Sequence, residues 1–136
     1  MAMAAISIGA SGMGAAEAQL NAVASNVANV ADVGATPGSG LPDTVYEPID
    51  VVDVASGTGT QPSGVGYSAM PNASAYFQAY DPTSPAADSA GMVAMPQVDL
   101  ADQMVKLAAA KTLFSASAKV ISAGDSMQQT AIDMLA

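Results

Sequence analysis

The stretch that decides the fold is DLADQMVKLAAAKTLFSASAKVISAGDSMQQTAIDMLA, residues 99–136. It contains no proline. Asp99 is a good helix N-cap, and Asp102 follows three residues on, where a negative charge favours the positive end of a helix. About 36 residues at a rise of about 1.5 Å each predict a rod of roughly 54 Å. Gly124 costs roughly 1 kcal/mol inside a helix but allows close approach of another backbone.

Two apolar stripes run along this predicted C-terminal helix. The first consists of Leu100, Met104, Leu107, Phe114, Ala118 and Ile121, and it is interrupted by Lys111. The second consists of Leu113, Ala116, Val120, Ala123, Met127 and Met134. One stripe is enough to pair with a single helix, so two stripes predict neighbours on more than one side.

Residues 1–33 also lack proline and carry apolar residues at spacings of three and four. These residues are Met13, Ala16, Leu20, Val23, Val27 and Val30. The spacing is that of the a and d positions of a coiled coil. It predicts a helix from near residue 15 to near residue 31, after a looser lead-in that contains glycines. Asn21, Asn26 and Asn29 weaken an isolated helix, so we expect this one to depend on partners.

The middle of the chain has a different composition, because all eight prolines fall between Pro37 and Pro96. Short strands are predicted at residues 44–46, 49–54, 65–70 and 73–80, and loops at 34–42 and 56–64. The expected fold is mainly α, with long terminal helices paired as a coiled-coil-like unit and a small irregular β-containing middle. The expected segments are 1–33, 34–98 and 99–136, with the first and last packed as one helical domain.

Charge and composition exclude several classes of function. The formal net charge is −9, and the only bases are Lys106, Lys111 and Lys119, so residues 1–98 hold eight acids and no base. A nucleic-acid binder or a protein adsorbed to an anionic membrane needs a basic face, which this chain lacks. The absence of cysteine and histidine removes disulfides, thiolate metal sites and the commonest general base. We predict no enzyme activity, no metal and no cofactor.

Four candidate sites are better explained as ordinary structure: the glycine-rich residues 9–14, the pairs Asp50/Asp53 and Asp81/Asp88, and the dyad Ser117/Lys119. The glycines have the wrong order for a dinucleotide loop, and we interpret them as flexibility at the start of the helix. The aspartates lack the spacing of an EF-hand and are expected to be solvated. Residues two apart on a helix point in different directions, so the dyad cannot act together. The triplet Asn72-Ala73-Ser74 fits a glycosylation signal equally well by chance.

The uncharged residues 1–16 resemble a signal peptide only superficially. A Sec signal needs a positively charged beginning, whereas the first base of this chain is Lys106. The stretch is also interrupted by glycines and is too short to span a membrane. We therefore expect a cytoplasmic protein or one exported by a route without a cleaved basic signal.

Two parts of the chain resemble a known family. The run LNAVASNVAN, residues 20–29, resembles the N-terminal signature of bacterial flagellar rod and hook proteins. The order YDP (80–82), PAAD (85–88), GMV (91–93) and PQVD (96–99) before a helix is similar to the FlgC family of proximal rod proteins. The chain departs from the family at Gln97, where asparagine is usual, and at Gln103, where glutamate is usual. It also lacks the usual basic residues after the first signature.

The resemblance implies a structural subunit of the flagellar rod, the drive shaft that crosses the periplasm and transmits torque. It implies export by the flagellar type III apparatus without a cleaved Sec signal, and assembly with other copies and other rod proteins. The expected assembly interface consists of Met13, Leu20, Val23, Asn26, Val27, Asn29, Val30, Leu100, Met104, Leu107, Leu113, Phe114, Val120, Ile121, Met127 and Met134. The family motif consists of Tyr80, Pro82, Pro85, Asp88, Gly91, Val93, Pro96, Val98 and Asp99.

Three alternatives stay open at this point. The helical stripes also suit an ordinary helical hairpin buried in its own domain, although the middle has few large residues to cover a long helix. The chain also suits another axial subunit of the rod or hook type. A helical binding module exported by the type III route is the third alternative.

Overall fold

The computed structural model describes residues 2–41, 45–58, 61–72 and 74–135. Over these residues a helix lies at each end, with four strands between the two helices. The elements in chain order are α1 (Ala2–Ala28), β1 (Ile49–Thr58), β2 (Gln61–Pro71), β3 (Tyr76–Tyr80), β4 (Met92–Pro96) and α2 (Leu100–Asp133). The prediction of a mainly α chain with terminal helices and a middle of small strands is confirmed.

Helix α2 begins where its N-cap predicts. The Asp99 Oδ1 atom accepts hydrogen bonds from the backbone N–H groups of Ala101, at 2.8 Å, and Asp102, at 3.3 Å. These bonds satisfy two of the donors that the first turn of a helix leaves without an internal partner. The predicted cap is therefore confirmed, and the helix runs without interruption to Asp133.

Helix α1 differs from the prediction at both ends. It begins at Ala2 rather than near residue 15, so the prediction of a looser glycine-containing lead-in is wrong. Glycine is a poor helix former, but helices in proteins gain most of their stability from tertiary packing, which outweighs propensity here. The helix ends at Ala28. Beyond it the backbone bonds span three residues, as from Asp32 N–H to Asn29 O, and the Asn29 side-chain Nδ2 donates to the Ser25 carbonyl at 2.8 Å.

Strands β1 and β2 form a two-stranded sheet that is longer than predicted. They include residues 56–58 and 61–64, so the prediction of a loop over 56–64 is wrong for those residues. Strand preference depends on pairing and context more than on local propensity, so glycines did not end these strands. The predicted strand at 44–46 is absent over its described residues, where Tyr46 N–H donates instead to Asp32 Oδ2 at 2.9 Å. Thr44 lies outside the described residues.

Strands β3 and β4 pair antiparallel, from Tyr76 opposite Pro96 to Tyr80 opposite Met92. The predicted strand at 73–80 begins only at Tyr76, and its first residue lies outside the described part of the chain. Strand β4 was not predicted. Its Ala94 forms a bridge to Gly34 through two backbone hydrogen bonds of 2.9 and 3.0 Å. Strand β4 therefore has partners on both edges, which explains why Val93 and Ala94 are buried.

The chain divides into two compact units. Unit 1 comprises residues 1–21, 51–69 and 105–136, and unit 2 comprises residues 22–50 and 70–104. The buried residues of unit 1 are small, and they include Ala15, Ala16, Ala110 and Ser117. The core of unit 2 is built around β4 and includes Val23, Val45, Val93 and Pro96. The partition into segments 1–33, 34–98 and 99–136 stays a prediction.

Candidate functional site

In unit 1 the two helices meet at glycines. A Cβ atom placed on Gly9 would lie 2.7 Å from Ile121 Cγ1 and 3.1 Å from the Ser117 carbonyl oxygen. A Cβ atom placed on Gly12 would lie 2.6 Å from Ser117 Oγ. Gly9 faces Ile121 and Ser117, whereas Gly12, which is later in α1, faces Ser117, which is earlier in α2 than Ile121. The two helices therefore run antiparallel in this unit. The absence of side chains at 9 and 12 is what permits this approach.

The buried positions of α2 repeat at the heptad interval. They are Gln103, Ala110, Ser117 and Gly124. A repeat of seven residues keeps one narrow stripe of a helix facing the same side. None of the four is a large apolar residue, and this stripe was not one of the two predicted from the sequence. The residues of the buried stripe are therefore either small, as Ala110, Ser117 and Gly124 are, or hydrogen-bonded, as Gln103 is; none is strongly hydrophobic.

The β1–β2 sheet contacts α1 within unit 1. Ser11 Oγ donates to the Ile8 carbonyl at 2.8 Å and accepts from Val65 N–H at 3.0 Å. The Gln19 side-chain amide donates to Asp53 Oδ2 at 2.8 Å. Asp53, considered above as a possible member of an acid pair, thus serves as a hydrogen-bond acceptor for the helix.

Unit 2 contains a polar cluster around Asn26, which consists of Asn26, Ser25, Tyr46, Gln103 and the backbone of Ile49. The Asn26 side chain is buried, and its Nδ2 donates to Ile49 O at 2.9 Å and to Gln103 Oε1 at 3.2 Å. Its Oδ1 accepts from Ile49 N–H at 2.8 Å and from Tyr46 OH at 2.9 Å. Two donors and two acceptor positions are thus all used, which is the full capacity of an asparagine amide.

The remaining polar atoms of the Asn26 cluster are compatible with one arrangement of protons. Tyr46 OH also lies 2.9 Å from Ser25 Oγ. A phenol has a single proton, so if Tyr46 donates to Asn26 Oδ1 it accepts from the Ser25 hydroxyl. The cluster joins α1, β1 and α2 through hydrogen bonds, which an apolar side chain of the same shape could not make. A buried polar contact of this kind fixes the register of the helices that share it.

The family motif extends from the end of β3 to the start of α2, and Pro82, Pro85, Asp88 and Gly91 lie in the loop that joins β3 to β4. Asp88 Oδ1 accepts from the N–H groups of Ala90, at 2.8 Å, and Met92, at 3.0 Å. Gly91 has a φ of +75°, and a Cβ atom there would lie 2.9 Å from Tyr80 Cε2 and 3.1 Å from Pro82 Cβ. Glycine is required both by the left-handed backbone and by the nearby ring. The loop is therefore held by its own side chains, and Asp88 is a turn-forming residue.

Asp81 has a lowered pKa in the same loop. The Thr83 hydroxyl donates to Asp81 Oδ1 at 2.7 Å, and the Thr83 backbone N–H donates to the same atom at 3.1 Å. Both bonds stabilise the charged carboxylate, so they hold the pKa of Asp81 below its ordinary value, with the hydroxyl as the larger cause. The carboxyl group is fixed and anionic, which suits a surface charge and not an acid–base catalyst.

The predicted interface and motif residues differ widely in exposure. The buried ones are Val23, Asn26, Gly91, Val93 and Pro96. The half-buried ones are Met13, Leu20, Asn29, Val30, Asp88, Val98, Leu113, Phe114 and Ile121. The exposed ones are Val27, Tyr80, Pro82, Pro85, Asp99, Leu100, Met104, Leu107, Val120, Met127 and Met134. The structure brings Asn26 into the polar cluster and Ile121 against Gly9, and it leaves the second predicted stripe of α2 largely open.

Several large apolar residues of α2 are exposed, and three of them, Val120, Met127 and Met134, share one side of the helix. Met104 is 69% exposed, Met127 57% and Met134 82%, and Val105 and Val120 are also exposed. Single exposed apolar residues are ordinary on protein surfaces, but Val120, Met127 and Met134 recur every seven residues and so form one stripe, which is a candidate interaction surface. Methionine tolerates neighbours of different shape because its side chain is flexible.

Sequence reasoning missed Gly9, Gly12, Tyr46 and the pairing of Gln103 with Asn26. A helical wheel places Gly9, Gly12, Ala16, Val23 and Asn26 on one face, which was the available signal. Within the described residues there is no group of three or more acidic side chains that could hold a metal ion. In that same part of the chain, no helix is both long and apolar enough to cross a membrane.

Comparison with known proteins gives a consistent result. Residues 89–134 match the family model described as the C-terminal part of the flagellar basal body rod FlgEFG proteins. The flagellar basal-body rod protein FlgC of Salmonella typhimurium is 33% identical over 121 residues, which is 88% of this chain and 87% of that protein. The FlgC of Agrobacterium fabrum is 29% identical over 136 residues, covering 97% of this chain and 94% of that protein. The chain therefore belongs to the FlgC family of flagellar basal-body rod proteins.

Proposed function

We propose that this protein is a structural subunit of the flagellar basal-body rod and that it polymerises through its two terminal helices. Membership of the FlgC family supports the rod assignment, since its relatives are named as rod proteins and not as enzymes. The observation that carries polymerisation is the exposed apolar stripe of α2 formed by Val120, Met127 and Met134, which have no cover within the described residues.

The geometry of the helices supports a coiled-coil-like pairing of the terminal segments 1–33 and 99–136. In unit 1 they run antiparallel with Gly9 and Gly12 against α2, and in unit 2 Asn26 reaches Gln103. Pairing through small residues keeps the large apolar side chains of α2 free for neighbours. When such a face binds a different surface of the next copy, the contact is head to tail, and a head-to-tail contact that does not close produces a helical filament.

The proposed partners are other copies of the chain, other rod proteins and the flagellar type III export apparatus. The proposed location is the periplasmic part of the basal body. Export by this route predicts that the protein keeps its original N-terminus in the assembled rod. Intact mass spectrometry of the subunit from purified basal bodies tests this, and a mass that lacks the first 15 to 30 residues would indicate a cleaved signal instead.

Cryo-electron microscopy of basal bodies from the source cell tests the rod assignment directly. Side-chain density that fits both terminal helices in the rod wall would establish the role and identify the neighbours. A rod whose density excludes this chain would overturn it and favour an exported binding module. Density in a different axial segment would favour the second candidate, another rod or hook-type subunit, which the match to the FlgEFG model also supports.

A pair of variants tests the use of the exposed face. Met127→Asp places a carboxylate on this face and, because Met127 is exposed, leaves the monomer folded. Burial of an unpaired charge between subunits costs several kcal/mol. We expect incorporation into basal bodies to fall by more than about tenfold. Met127→Leu is the matched control, because it keeps an apolar side chain of similar size and should be incorporated normally. Normal incorporation of both variants would exclude Met127 from the interface.

A further inference from the structure

The charges of the chain are divided unequally between its two compact units. Residues of unit 2 include eight acids and no base, a formal charge of −8. Residues of unit 1 include four acids and all three lysines, a formal charge of −1. Two copies therefore repel each other strongly when unit 2 faces unit 2. Only unit 1 offers unit 2 of another copy an opposite charge.

Two of the lysines border one open groove on α2. The groove has a volume of about 340 Å³ and is lined by Lys111, Thr112, Ser115, Ala116 and Lys119, which we call the lysine face. Lys111 and Lys119 are eight residues apart, so their side chains lie two turns apart on the same side of the helix. Both are exposed, and within the described part of the chain neither ammonium group has an ion pair.

The lysine face adjoins apolar surface. Ala116, within it, and Val120, beside it on the same helix, are both exposed. The aliphatic stem of a lysine covers neighbouring apolar atoms while its ammonium group reaches outward. A surface with an apolar floor and two unpaired cations is complementary to a partner that carries fixed carboxylates.

Unit 2 has carboxylates of this kind. Asp81 and Asp88 are held by hydrogen bonds from their own loop, so their position is set before any partner arrives. Glu47 is exposed, and within the described residues its carboxylate has no partner. Fixed charges lose little side-chain entropy on binding, which favours them as partners for lysines.

We infer that the lysine face of one copy binds the acidic unit 2 of a second copy, in a head-to-tail contact. This inference rests on the proposed function and adds to it the polarity of the contact and the charges that select it. Repulsion between two unit 2 surfaces excludes the head-to-head arrangement, so charge provides specificity and the apolar residues provide area.

The test is sedimentation equilibrium of the full chain over a range of protein concentrations, from about 20 mM to about 500 mM NaCl. We expect association that weakens as salt rises. Lys111→Gln with Lys119→Gln should lower the association constant about tenfold, the effect of two partly exposed ion pairs. Ala4→Glu with Ser7→Glu is the matched control, since it also makes the chain two charges more negative but at exposed positions on α1. The control should associate within about threefold of the natural chain.

A mixing experiment tests the direction of the contact. One variant, Lys111→Glu with Lys119→Glu, lacks the lysine face, and another, Glu47→Lys with Ser89→Lys, has a weakened acidic surface. The first variant should not self-associate, and the second should self-associate more weakly than the natural chain, since it keeps Asp81 and Asp88. Their equimolar mixture should form a one-to-one heterodimer in preference to larger species, because the lysine face of the second variant binds the unaltered acidic unit 2 of the first.

The inference is overturned if the natural chain stays monomeric at every salt concentration, if the glutamine variant associates as the control does, or if the mixture forms no heterodimer. These failures leave the rod assignment intact, because that assignment depends on density for this chain in basal bodies. Conversely, a basal body without the chain overturns the rod assignment whatever the sedimentation data show.

Discussion

The two units hold the helices in opposite ways. In unit 1 the contact depends on atoms that are absent, because Gly9 and Gly12 leave room for Ile121 and Ser117. In unit 2 it depends on atoms that are present, because Asn26 uses its whole amide to join Ile49, Tyr46 and Gln103. The difference teaches that close packing sets how near the helices lie, whereas directional hydrogen bonds set which residues are opposite each other.

Removal of the Asn26 amide should have the largest effect. Asn26→Ala leaves the Ile49 backbone groups and Gln103 without their partners in a buried place, and each unsatisfied group costs about 1 to 3 kcal/mol. We expect a loss of about 3 kcal/mol in the free energy of unfolding, measured by circular dichroism during urea titration. Asn21→Ala is the control, since Asn21 is exposed on the same helix and should change stability by less than about 0.5 kcal/mol. Equal effects of the two variants would show that the Asn26 cluster does not stabilise unit 2.

A side chain at Gly9 should have the next largest effect. Gly9→Val would press against Ile121 and the Ser117 backbone, and overpacking of this kind costs about 1 to 3 kcal/mol. The better helix propensity of valine offsets only part of this cost, so we expect a net loss of about 2 kcal/mol in the same urea titration.

The control for this prediction is Ala10→Val, at an exposed position on the next residue. Ile121→Ala combined with Gly9→Val should recover part of the loss, because it removes the atom nearest to the new side chain. A Gly9→Val variant as stable as Ala10→Val would mean that the helices do not approach closely in unit 1.

Unit 2 also has a position, Gly91, at which a side chain should destabilise the fold. Gly91→Ala combines a positive φ with contacts of the new methyl group to Tyr80 and Pro82, so we expect a loss of about 1 to 2 kcal/mol. Gly38→Ala is a matched control with a φ of +89° and no atom within 4 Å of the new methyl group. Its loss should be about 1 kcal/mol, from the backbone alone. If Gly38→Ala costs as much as Gly91→Ala, the Tyr80 contact is irrelevant to stability.

The smallest expected effect concerns the Asp81 carboxyl group. Thr83→Val removes the hydroxyl that chiefly lowers the pKa of Asp81, so this pKa should rise toward its ordinary value. A pKa lowered by folding adds stability above the ordinary value, and this stability disappears as the pH falls through the folded-state pKa. Stability should therefore depend less on pH in that acidic range in the variant. NMR titration of the carboxyl carbon measures the pKa, and Thr83→Ser, which keeps a hydroxyl, should leave it unchanged.

The predictions that succeeded rest on local signals. Asp99 was identifiable as a cap because a carboxylate before an apolar run with no proline is a local pattern. The family was also identifiable, because the residues that carry the second resemblance, Tyr80 to Asp99, lie within 20 positions of one another. The strands were partly missed because strand length depends on pairing, so residues 56–58 and 61–64 continue the β1–β2 sheet despite their glycines.

The helix contact was largely missed for a physical reason. Apolar periodicity identifies faces that would be buried by something, but not what buries them. The predicted a and d positions included Val27, which is exposed, while the adjacent Asn26 is buried. Burial of an asparagine is favourable only when all of its hydrogen bonds are made, and the partners of Asn26 come from distant parts of the chain.

The sequence by itself determined that both ends are helical, that the middle is not, that acidic charge predominates and that histidine and cysteine chemistry is absent. These are properties of residue types and their local order. The tertiary structure alone decided that Gly9 and Gly12 meet α2, that Gln103 pairs with Asn26 across 77 positions, and that the lysines border an open groove. Such pairings depend on the distance and direction between elements, which emerge only when the backbone has packed.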